Sequence, residues 1–517
     1  METGVNVVDG GPQVAVRNAF RAPYADAIAA ARSCYSARVI SGDEVTAEQK
    51  DTIGPSTFDS GHHTVYQHAT FEFSLAGVSR QFVWAFLHGH PFYNSEQSSQ
   101  RYVKLKEPRA IIPPLGGPAR DLYCRAIAQA WDRYAELTEL LQPTTEAILA
   151  ELRHLSPRSA PERHRRVRRE AEKRAMEAAR YVLPIAAHTS MVHTVSGITL
   201  HRLQRLMAGG DCPWESELVV GRMIAAAREI DPEFFDKIGE PPLPRDQQPE
   251  DRLFQPPTGG GTPFRDQFDS RLGPFRSRLV DYTPDAESQV AQAVRAVFGL
   301  EQEAAGDAEL IDRVVNPARN PLWLDKLNLG VHSPLLRTLQ HPQYTFIKRL
   351  SHTADSQDQR HRLVPASRPL LRFVHSPEPD AVVPALIAKV PAAQQLYTRA
   401  LAEAWEAKNR LLEFGVDPQF AVYVLPNATA IRLTESGSLL HLLHKWHLRT
   451  CFNAQEEIYY ASLDEIRQVR ELHPHLTRWA GPPCLPRANL VRPICTEGIR
   501  FCGVKVWQNW PQVERQL

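Results

Sequence analysis

The sequence predicts an α+β protein made of two similar halves that pack together as a pseudo-symmetric pair. Three observations carry this prediction. A stretch rich in proline and glycine, from about Gly239 to Gly273, divides the 517-residue chain almost in half. Each half reads as a short strand, a helix, a histidine-rich turn, further strand segments and then long helices. Several motifs of the first half also recur in the second half in the same order.

The recurring motifs are specific and collinear, which indicates a tandem duplication rather than chance. One half would then pack on the other as two subunits would. The paired segments are Gln67-His68-x-x-Phe71-x-Phe73 with Gln340-His341-x-x-Tyr344-x-Phe346, Leu122-Tyr123-x-Arg125 with Leu396-Tyr397-x-Arg399, Tyr181-Val182-Leu183-Pro184 with Tyr423-Val424-Leu425-Pro426, and Ser196-Gly197-x-x-Leu200-His201 with Ser436-Gly437-x-x-Leu440-His441.

The elements of each half follow from local patterns. A helix is predicted from Tyr24 to Tyr35, and its counterpart runs from Glu287 to Phe298. The segment after Gln67 alternates as a strand and then becomes a buried helix rich in aromatic residues. Long helices are predicted after Pro118 and Pro391, because proline is favoured at the start of a helix.

The repeat and the linker set the predicted domain boundaries. We predict a first repeat over residues 1–240, an exposed Pro/Gly-rich linker over 241–272, a second repeat over 273–470 and a cysteine-containing tail over 471–517. A chain of this length can bury a large core without disulfides or a structural metal.

Composition argues against several classes of protein. Sixty Lys and Arg residues nearly balance 59 Asp and Glu residues, which gives a net charge of +1 and disfavours a dedicated nucleic-acid or membrane-surface protein. The basic run Arg163–Arg169 lacks aromatic stacking partners and is interpreted as a solvated helix face. Because no signal peptide or membrane-spanning run is apparent, we expect a cytoplasmic protein whose seven cysteines are reduced thiols or metal ligands rather than a disulfide framework.

A polar cluster follows the aromatic helix of the first half, and its complement lies in the second half. The cluster holds a carboxylate, amides, hydroxyls and an arginine, namely Glu96, Gln97, Ser98, Ser99, Arg101 and the neighbouring Tyr102. The second half lacks this cluster but carries Gln357-Asp358-Gln359-Arg360-His361-Arg362 where the first half has Ala85–His90. Similarly, Arg180 of the first half corresponds to Val422 of the second. The residue eight positions after His441 is Arg449, whereas the residue eight positions after His201 is Gly209. Each half has therefore kept what the other has lost.

These residue types suit a nucleotide monophosphate site. A phosphate removed from water needs several permanent donors, which Arg101, Arg180 and Arg449 would supply with the hydroxyls of Ser98 and Ser99. Gln357, with Glu96 or Gln97, could bind the imide edge or the sugar hydroxyls of a pyrimidine nucleotide. Arg360, His361 and Arg362 would fit a second anion.

The motifs resemble the signature of the flavin-dependent thymidylate synthases. In that family an E-H-x-x-F-x-F segment leads through V-S-R and Q-x-x-R-H-R to S-x-R-Y. The first half matches through Gln67–Phe73, Val78-Ser79-Arg80 and Ser99–Tyr102, and the second half matches through Gln357–Arg362 and through Leu448-Arg449 with Ala454-Gln455-x-Glu457-Ile458. The resemblance implies two tandem pseudo-symmetric domains of this family.

The resemblance also implies the roles of the site residues. In the family, residues of more than one subunit of a homotetramer assemble each site, so one composite site between the halves is expected, in a homodimer that forms a pseudo-tetramer of repeats. The implied catalytic residues are Arg449, Arg101 and Glu96. The implied substrate-binding residues are Gln357, Glu96, Gln97, Ser98, Ser99, Arg101, Arg180 and Arg449. The implied FAD-binding residues are His62, His63, Arg360, His361 and Arg362.

The reaction implied by the resemblance is C5 methylation of deoxyuridylate. Methylenetetrahydrofolate would donate the carbon, and FAD reduced by NADPH would supply the hydride, so the expected partners are a small-molecule nucleotide and a folate. A flavin route fits the lack of a cysteine in the polar cluster. Two alternatives stay open, namely a different pyrimidine nucleotide as substrate, including a ribonucleotide, and a pseudoenzyme that binds flavin or nucleotide without turnover.

Two further groups of residues have both a functional and a structural interpretation. Three thiols and an imidazole in the tail could hold a structural zinc ion or could be unrelated reduced cysteines and a histidine, and these are Cys484, Cys495, Cys502 and His475. His88 and His90 lie beside aromatic residues and could be core histidines or ligand contacts.

Overall fold

The computed structural model describes residues 7, 10–101, 103–256 and 261–517. It contains two four-stranded antiparallel sheets with equivalent strand orders, β1-β2-β4-β3 in the first half and β5-β6-β8-β7 in the second. The predicted α+β fold and tandem repeat are confirmed, because each half repeats the other strand for strand.

Among the described residues, the first half contains four strands and eight α-helices. Its strands are β1 (Gln13–Ala19), β2 (Thr70–Ser79), β3 (Asn94–Gln97) and β4 (His188–Ser196). Its helices are α1 (Pro23–Ser33), α2 (Ala47–Asp59), α3 (Arg80–His88), α4 (Gly117–Leu152), α5 (Pro161–Ala179), α6 (Gly197–Leu206), α7 (Pro213–Ile230) and α8 (Glu233–Asp236). The basic face of α5 is exposed, as predicted.

The second half follows two helices of the linker, α9 (Pro249–Leu253) and α10 (Thr262–Leu272). Its strands are β5 (Ser277–Tyr282), β6 (Gln343–Ser351), β7 (Ala366–Ser367) and β8 (Ala430–Ser438). Its helices are α11 (Ala286–Phe298), α12 (Asp307–Val315), α13 (His352–Asp358), α14 (Leu371–Val374), α15 (Ala385–Ala388), α16 (Pro391–Glu413), α17 (Pro418–Ala421), α18 (Leu439–Arg449), α19 (Glu456–Leu472), α20 (Pro474–Thr477) and α21 (Cys484–Arg487).

The segment predicted as an exposed linker is partly buried. Gln248, Phe268 and Leu272 are buried, and the last two lie on one face of α10 because they are four residues apart. Residues 257–260, which include two glycines of the predicted glycine run, lie outside the described part of the chain. Within the described residues, no helix combines the length and the apolar character needed to cross a bilayer.

The two Tyr-Val-Leu-Pro segments pair with each other across the pseudo-two-fold axis. An antiparallel bridge joins Pro184 to Pro426. The backbone N–H of Ile185 donates to the Leu425 carbonyl at 2.8 Å, and the Asn427 N–H donates to the Leu183 carbonyl at 2.8 Å. One hydrophobic core then continues through both halves. The duplicated motif is therefore the seam along which the halves join.

Each tyrosine of the seam reaches a buried glutamate of the opposite half. Tyr423 donates from its hydroxyl to Glu215 Oε2 at 2.6 Å, and Tyr181 donates to Glu457 in the reciprocal contact. Each glutamate also accepts from a serine that caps a helix; Ser79 N–H reaches Glu215 at 2.7 Å. These bonds fix the starts of α3 and α13, whose far ends reach the candidate site.

The buried Glu215 carboxyl makes the seam sensitive to pH. Burial raises its pKa from 4.5 to about 7, although hydrogen bonds from Ser79 and Tyr423 oppose the shift. Because the folded pKa is raised, the stability contributed by this group is complete below pH 4.5 and is lost as the pH rises through 7. We expect the melting temperature of the wild type, measured relative to that of Glu215→Gln, to fall between pH 5 and pH 8.

Differential scanning fluorimetry of both proteins across this pH range checks the expectation. Glu139→Gln, at an exposed position on α4, serves as the matched control, and its difference from the wild type should stay flat with pH. If the melting temperature of the wild type minus that of Glu215→Gln stayed constant or rose with pH, the assignment would be contradicted.

Candidate functional site

A cleft between the halves joins the end of α13 to strand β3. Its empty volume is about 840 Å³. The first half contributes strand residues of the predicted polar cluster, and the second half contributes the residues that follow α13. The lining residues are Leu87, Tyr93, Asn94, Ser95, Glu96, Gln97, Val192, Thr194, Gln359, Arg360 and Arg362. We call this cavity the composite cleft.

Contacts across the composite cleft join the two predicted motifs. Arg360 Nη2 lies 3.9 Å from Glu96 Oε2, with both side chains mostly exposed. Arg362 Nη2 donates to Asn94 Oδ1 at 3.1 Å, and its guanidinium lies over the Tyr93 ring at 5.1 Å. The arginines that follow α13 therefore meet the polar strand of the other half.

His361, between these two arginines, is buried and neutral. Burial, with a smaller contribution from the nearby cations Arg449 and Lys445, lowers its pKa to about 2. Its Nε2 has no hydrogen-bond partner among the described residues. The ring can thus offer a ligand one neutral donor or acceptor rather than a charge.

Two arginines of the predicted phosphate site contact the segment Cys451–Gln455, and a third is linked to it through Gln357. Arg101 Nη2 donates to the Asn453 carbonyl at 2.8 Å, and Arg180 Nη2 donates to Gln455 Oε1 at 3.1 Å. Arg449 Nη2 donates to the Gln357 carbonyl at 2.6 Å, and the Gln357 amide donates to Gln455. Arginines from both halves therefore share one network.

Arg360 lies close enough to this network for its charge to act on Arg449. We call Arg101, Arg180, Arg360 and Arg449 together the arginine cluster. Burial lowers the pKa of Arg449 to about 10; Asp358 opposes the shift, whereas Arg360 and Arg101 add to it. Arg449 stays charged at neutral pH, so its surroundings favour an added anion.

Glu177 anchors the first-half side of the arginine cluster. Its carboxylate lies 2.7 Å from Arg101 Nε. Burial would raise its pKa, but Arg101, Arg174 and Arg180 outweigh that effect and hold the pKa at about 2. The carboxylate therefore stays ionised.

Arg80 is a site residue that the motif analysis quoted but gave no role. It donates to Gln97 Oε1 at 3.2 Å and to the Ser98 carbonyl at 2.7 Å, so it fixes the end of strand β3. Burial lowers its pKa to about 9, and Arg180 adds to the shift. Its position directly after the capping Ser79 is the sequence signal that could have revealed it.

The remaining predicted ligand residues lie in different surroundings. Ser98 Oγ is 2.8 Å from Ser190 Oγ, and Ser99 Oγ accepts the Arg101 N–H at 3.2 Å. His63 Nε2 is 3.0 Å from the Phe58 carbonyl, and its ring packs on Phe58 in the first half. His62 is exposed beside it. Neither histidine lines the composite cleft among the described residues, and Tyr102 lies outside them.

The predicted zinc site is wrong as a set of ligands. His475 lies on α20, where its backbone N–H donates to Glu287, whereas Cys484, Cys495 and Cys502 lie near Cys451. Burial raises the pKa of Cys484 to about 12, which is typical of a protonated thiol. Among the described residues, no group of three or more His, Cys, Asp or Glu side chains could hold a metal ion.

A buried ionic network supports the arginine cluster, and the sequence analysis missed it. Lys348 Nζ lies 2.7 Å from Glu465, 3.1 Å from Glu435 and 3.3 Å from Asp358. Lys445 Nζ lies 3.0 Å from Asp358, whose other oxygen is 3.9 Å from Arg449 Nε. Three cations thus balance three carboxylates, and the lysines hold the pKa of Asp358 well below its usual range although burial opposes this.

The strand register corrects the equivalence drawn from sequence for Arg449. Strands β4 and β8 both have nine residues and end at Ser196 and Ser438. Helices α6 and α18 start directly after these serines, so the counterpart of Arg449 is Met207 rather than Gly209. In this register the ionic network of the second half becomes largely apolar in the first, where Leu75, Phe86, His193, Leu203, Met207 and Met223 replace Lys348, Asp358, Glu435, Lys445, Arg449 and Glu465.

The balance of the ionic network predicts how its members respond to replacement. Lys348→Leu removes one cation and leaves a buried carboxylate unpaired, so we expect the free energy of unfolding to fall by about 3–5 kcal/mol. The double variant Lys348→Leu with Glu465→Met restores neutrality with side chains like those of the first half, and we expect it to recover at least half of the loss. Urea denaturation measures both.

An exposed ion pair provides the control for this comparison. Lys104 Nζ lies 2.8 Å from Glu172 with both side chains partly exposed, so Lys104→Leu should cost less than about 1 kcal/mol. If the double variant were less stable than the single one, charge balance would not be the source of the effect.

Comparison with known proteins adds an independent result to this geometry. The sequence profile of a family described as thymidylate synthase complementing protein matches the chain twice, over residues 17–233 and 278–475. A flavin-dependent thymidylate synthase of Geobacter sulfurreducens is 31% identical over 229 residues, which cover 44% of this chain and 92% of that protein.

Two solved structures also align with the chain. One is a flavin-dependent thymidylate synthase from Helicobacter pylori complexed with FAD and dUMP, at 22% identity and a TM-score of 0.30, covering 40% of this chain and 100% of that chain. The other is a UMP/dUMP methylase from Streptomyces cacaoi bound with 5-Br dUMP, at 16% identity and a TM-score of 0.34, covering 45% and 96%.

Proposed function

Because the chain belongs to the family of thymidylate synthase complementing proteins, we propose that it is a flavin-dependent enzyme that methylates C5 of a pyrimidine nucleotide, converting dUMP to dTMP at one composite cleft per chain. The observation that carries this proposal is the arginine cluster, to which both halves contribute. Arg360 lines the composite cleft, and its charge acts on Arg449 together with that of Arg101. These guanidinium groups would provide the charge that a nucleotide phosphate needs.

The proposed roles follow from the contacts of each side chain. Arg101 and Arg449 would exchange their present carbonyl partners for the phosphate. The two arginines come from opposite halves, both bind carbonyls of the second half, and their charges lie close enough to act on each other. Arg180 is fixed by Gln455 and would add to the field. Gln357 and Glu96 would bind the imide edge and orient C5.

The residues beyond α13 fit an FAD pyrophosphate. Arg360 and Arg362 are exposed at the composite cleft, and between them the buried Nε2 of His361 has no hydrogen-bond partner in the described part of the chain. Bound FAD would provide the hydride chemistry, with NADPH as its reductant and methylenetetrahydrofolate as the carbon donor. The protein's own part is to bind, orient and neutralise charge. We also retain the homodimer, a pseudo-tetramer of repeats, as part of this proposal.

Turnover is the direct test of the proposed function. The purified protein is incubated with FAD, NADPH and methylenetetrahydrofolate and with dUMP or UMP, and the nucleotides are analysed by mass spectrometry. Formation of dTMP supports the proposal. Methylation of UMP alone would change the substrate, and flavin binding without any methylated product would indicate a pseudoenzyme.

Replacement of the cluster arginines tests whether they share one ligand. Arg101→Ala and Arg449→Ala should each weaken dUMP binding by roughly 2–4 kcal/mol, because a buried charged contact to phosphate is lost. The double variant should lose less than the sum if both reach the same phosphate. Calorimetric titration gives the affinities, and Met207→Ala, the counterpart of Arg449, is the control that should leave them unchanged.

The number of sites per chain follows from the asymmetry of the two halves. Because the counterparts of Arg180, Arg360 and Arg449 are Val422, His88 and Met207, we expect one FAD and one dUMP per chain at saturation. Absorbance of the bound flavin against the protein concentration measures this ratio. Two equivalents per chain would contradict the single composite site.

A further inference from the structure

A second cleft lies where pseudo-symmetry would place a copy of the composite cleft. It joins the end of α3 from the first half to β7 and the residues after it from the second half, and its empty volume is about 1490 Å³. We call it the mirror cleft. Its walls include Trp84, Phe86, Phe92, Leu203, Leu206, Met207 and Leu370. The cavity has therefore been kept and enlarged although its polar lining has changed.

The replacements in the mirror cleft remove almost every group that would bind an anion. In the α3–α13 register, Ala85, His88, Gly89 and His90 are the counterparts of Gln357, Arg360, His361 and Arg362, of which Arg360 and Arg362 line the composite cleft. Met207 is the counterpart of Arg449. The replacements are uncharged or, for the two histidines, held neutral by burial, which lowers their pKa to about 3 at His88 and about 4 at His90.

The charged groups that remain do not favour a phosphate. Arg368 is held by two bonds to Asp355, at 2.7 and 2.8 Å, and Asp355 is fully buried. Asp211 and Glu250 place carboxylates on the wall, while Arg202 is exposed at the rim. An uncharged ligand therefore suits this cleft. Among the described residues of its wall, an anion would meet the carboxylates of Asp211 and Glu250, while the Arg368 guanidinium is already paired with Asp355.

His88 supplies the unsatisfied polar group that such a ligand would meet. Its side chain is only 8% exposed, its Nδ1 lies 3.8 Å from Asp355 Oδ2, beyond hydrogen-bond distance, and neither ring nitrogen makes a hydrogen bond among the described residues. Its ring packs edge-on against Trp84, with centroids 5.5 Å apart, and Trp84 is fixed by a 2.7 Å bond from Nε1 to Asp355. A neutral imidazole presents one donor and one acceptor beside an aromatic wall.

We propose that the mirror cleft is a second ligand site, for an uncharged, planar heteroaromatic molecule whose edge carries both a hydrogen-bond donor and an acceptor. The ring would stack on the aromatic wall, and its edge would satisfy His88. The linker covers part of the cleft, because Gln248 and Glu250 line it. This site depends on the side chains that replaced the anion-binding groups and not on the activity proposed for the composite cleft.

Three uncharged probes test the proposal, namely thymidine, inosine and lumichrome. Each is titrated calorimetrically into the full chain in the presence of saturating dUMP and FAD, which would occupy the composite cleft. We expect at least one probe to bind with one equivalent per chain. His88→Phe keeps the planar bulk and removes both nitrogens, so it should weaken that binding at least tenfold.

Two further variants separate the mirror cleft from the composite cleft. Leu203→Trp fills the mirror cleft and should abolish probe binding. Agreement between the two variants would show that the loss in His88→Phe does not come from a folding defect of that variant. Arg360→Ala, at the position equivalent to His88, should leave probe binding unchanged while it weakens dUMP or FAD binding.

Two outcomes would overturn the proposal. One is the failure of all three probes to bind at millimolar concentration, and the other is binding that survives His88→Phe and Leu203→Trp but is lost in Arg360→Ala. Failure of dUMP and FAD to bind would count against the proposed function alone, because His88→Phe and Leu203→Trp would still show whether the probes bind in the mirror cleft.

Discussion

The antiparallel pairing of the two Tyr-Val-Leu-Pro segments is the constraint on which the rest of the structure depends. Each segment offers its backbone to the other and sends a tyrosine hydroxyl to a glutamate of the opposite half. The same glutamates hold the serines that start α3 and α13. A single reciprocal contact therefore fixes the distance between the halves and the direction of both helices that end at the clefts.

The two halves fill equivalent buried positions with different side chains, ionic in the second half and mostly apolar in the first. Beneath the composite cleft, three cations and three carboxylates balance each other, and beneath the mirror cleft the equivalent positions are mostly apolar. Both solutions can be stable, since well-packed apolar groups replace a buried ion network at little cost. Only the ionic solution also fixes Asp358 beside Arg449, so the half that retained charge is the half that supports the arginine cluster.

Complementary loss is expected when duplicated subunits remain joined in one chain. A homo-oligomer must keep every site residue in every copy, because each copy contributes to equivalent sites. In a fused pair, each half can lose the residues that serve the mirror cleft while the composite cleft remains complete. The arginine cluster fits this division, because the first half contributes Arg101 and Arg180 and the second half contributes Arg360 and Arg449.

The sequence by itself determined the duplication, the α+β class, the family and the residues that each half had kept, because motifs and hydrophobic periodicity are local properties of the chain. The tertiary structure alone decided which residues meet. Lys348 and Glu465 were not recognised because a buried ion network joins distant residues without a motif. Spacing from the two histidines matches Gly209 with Arg449, whereas the strand register gives Met207. The sequence also groups His475 with three cysteines of the tail, whereas the described residues contain no group of three or more His, Cys, Asp or Glu side chains that could hold a metal ion. Proximity in three dimensions is set by pairing register and packing, which spacing along the chain does not encode.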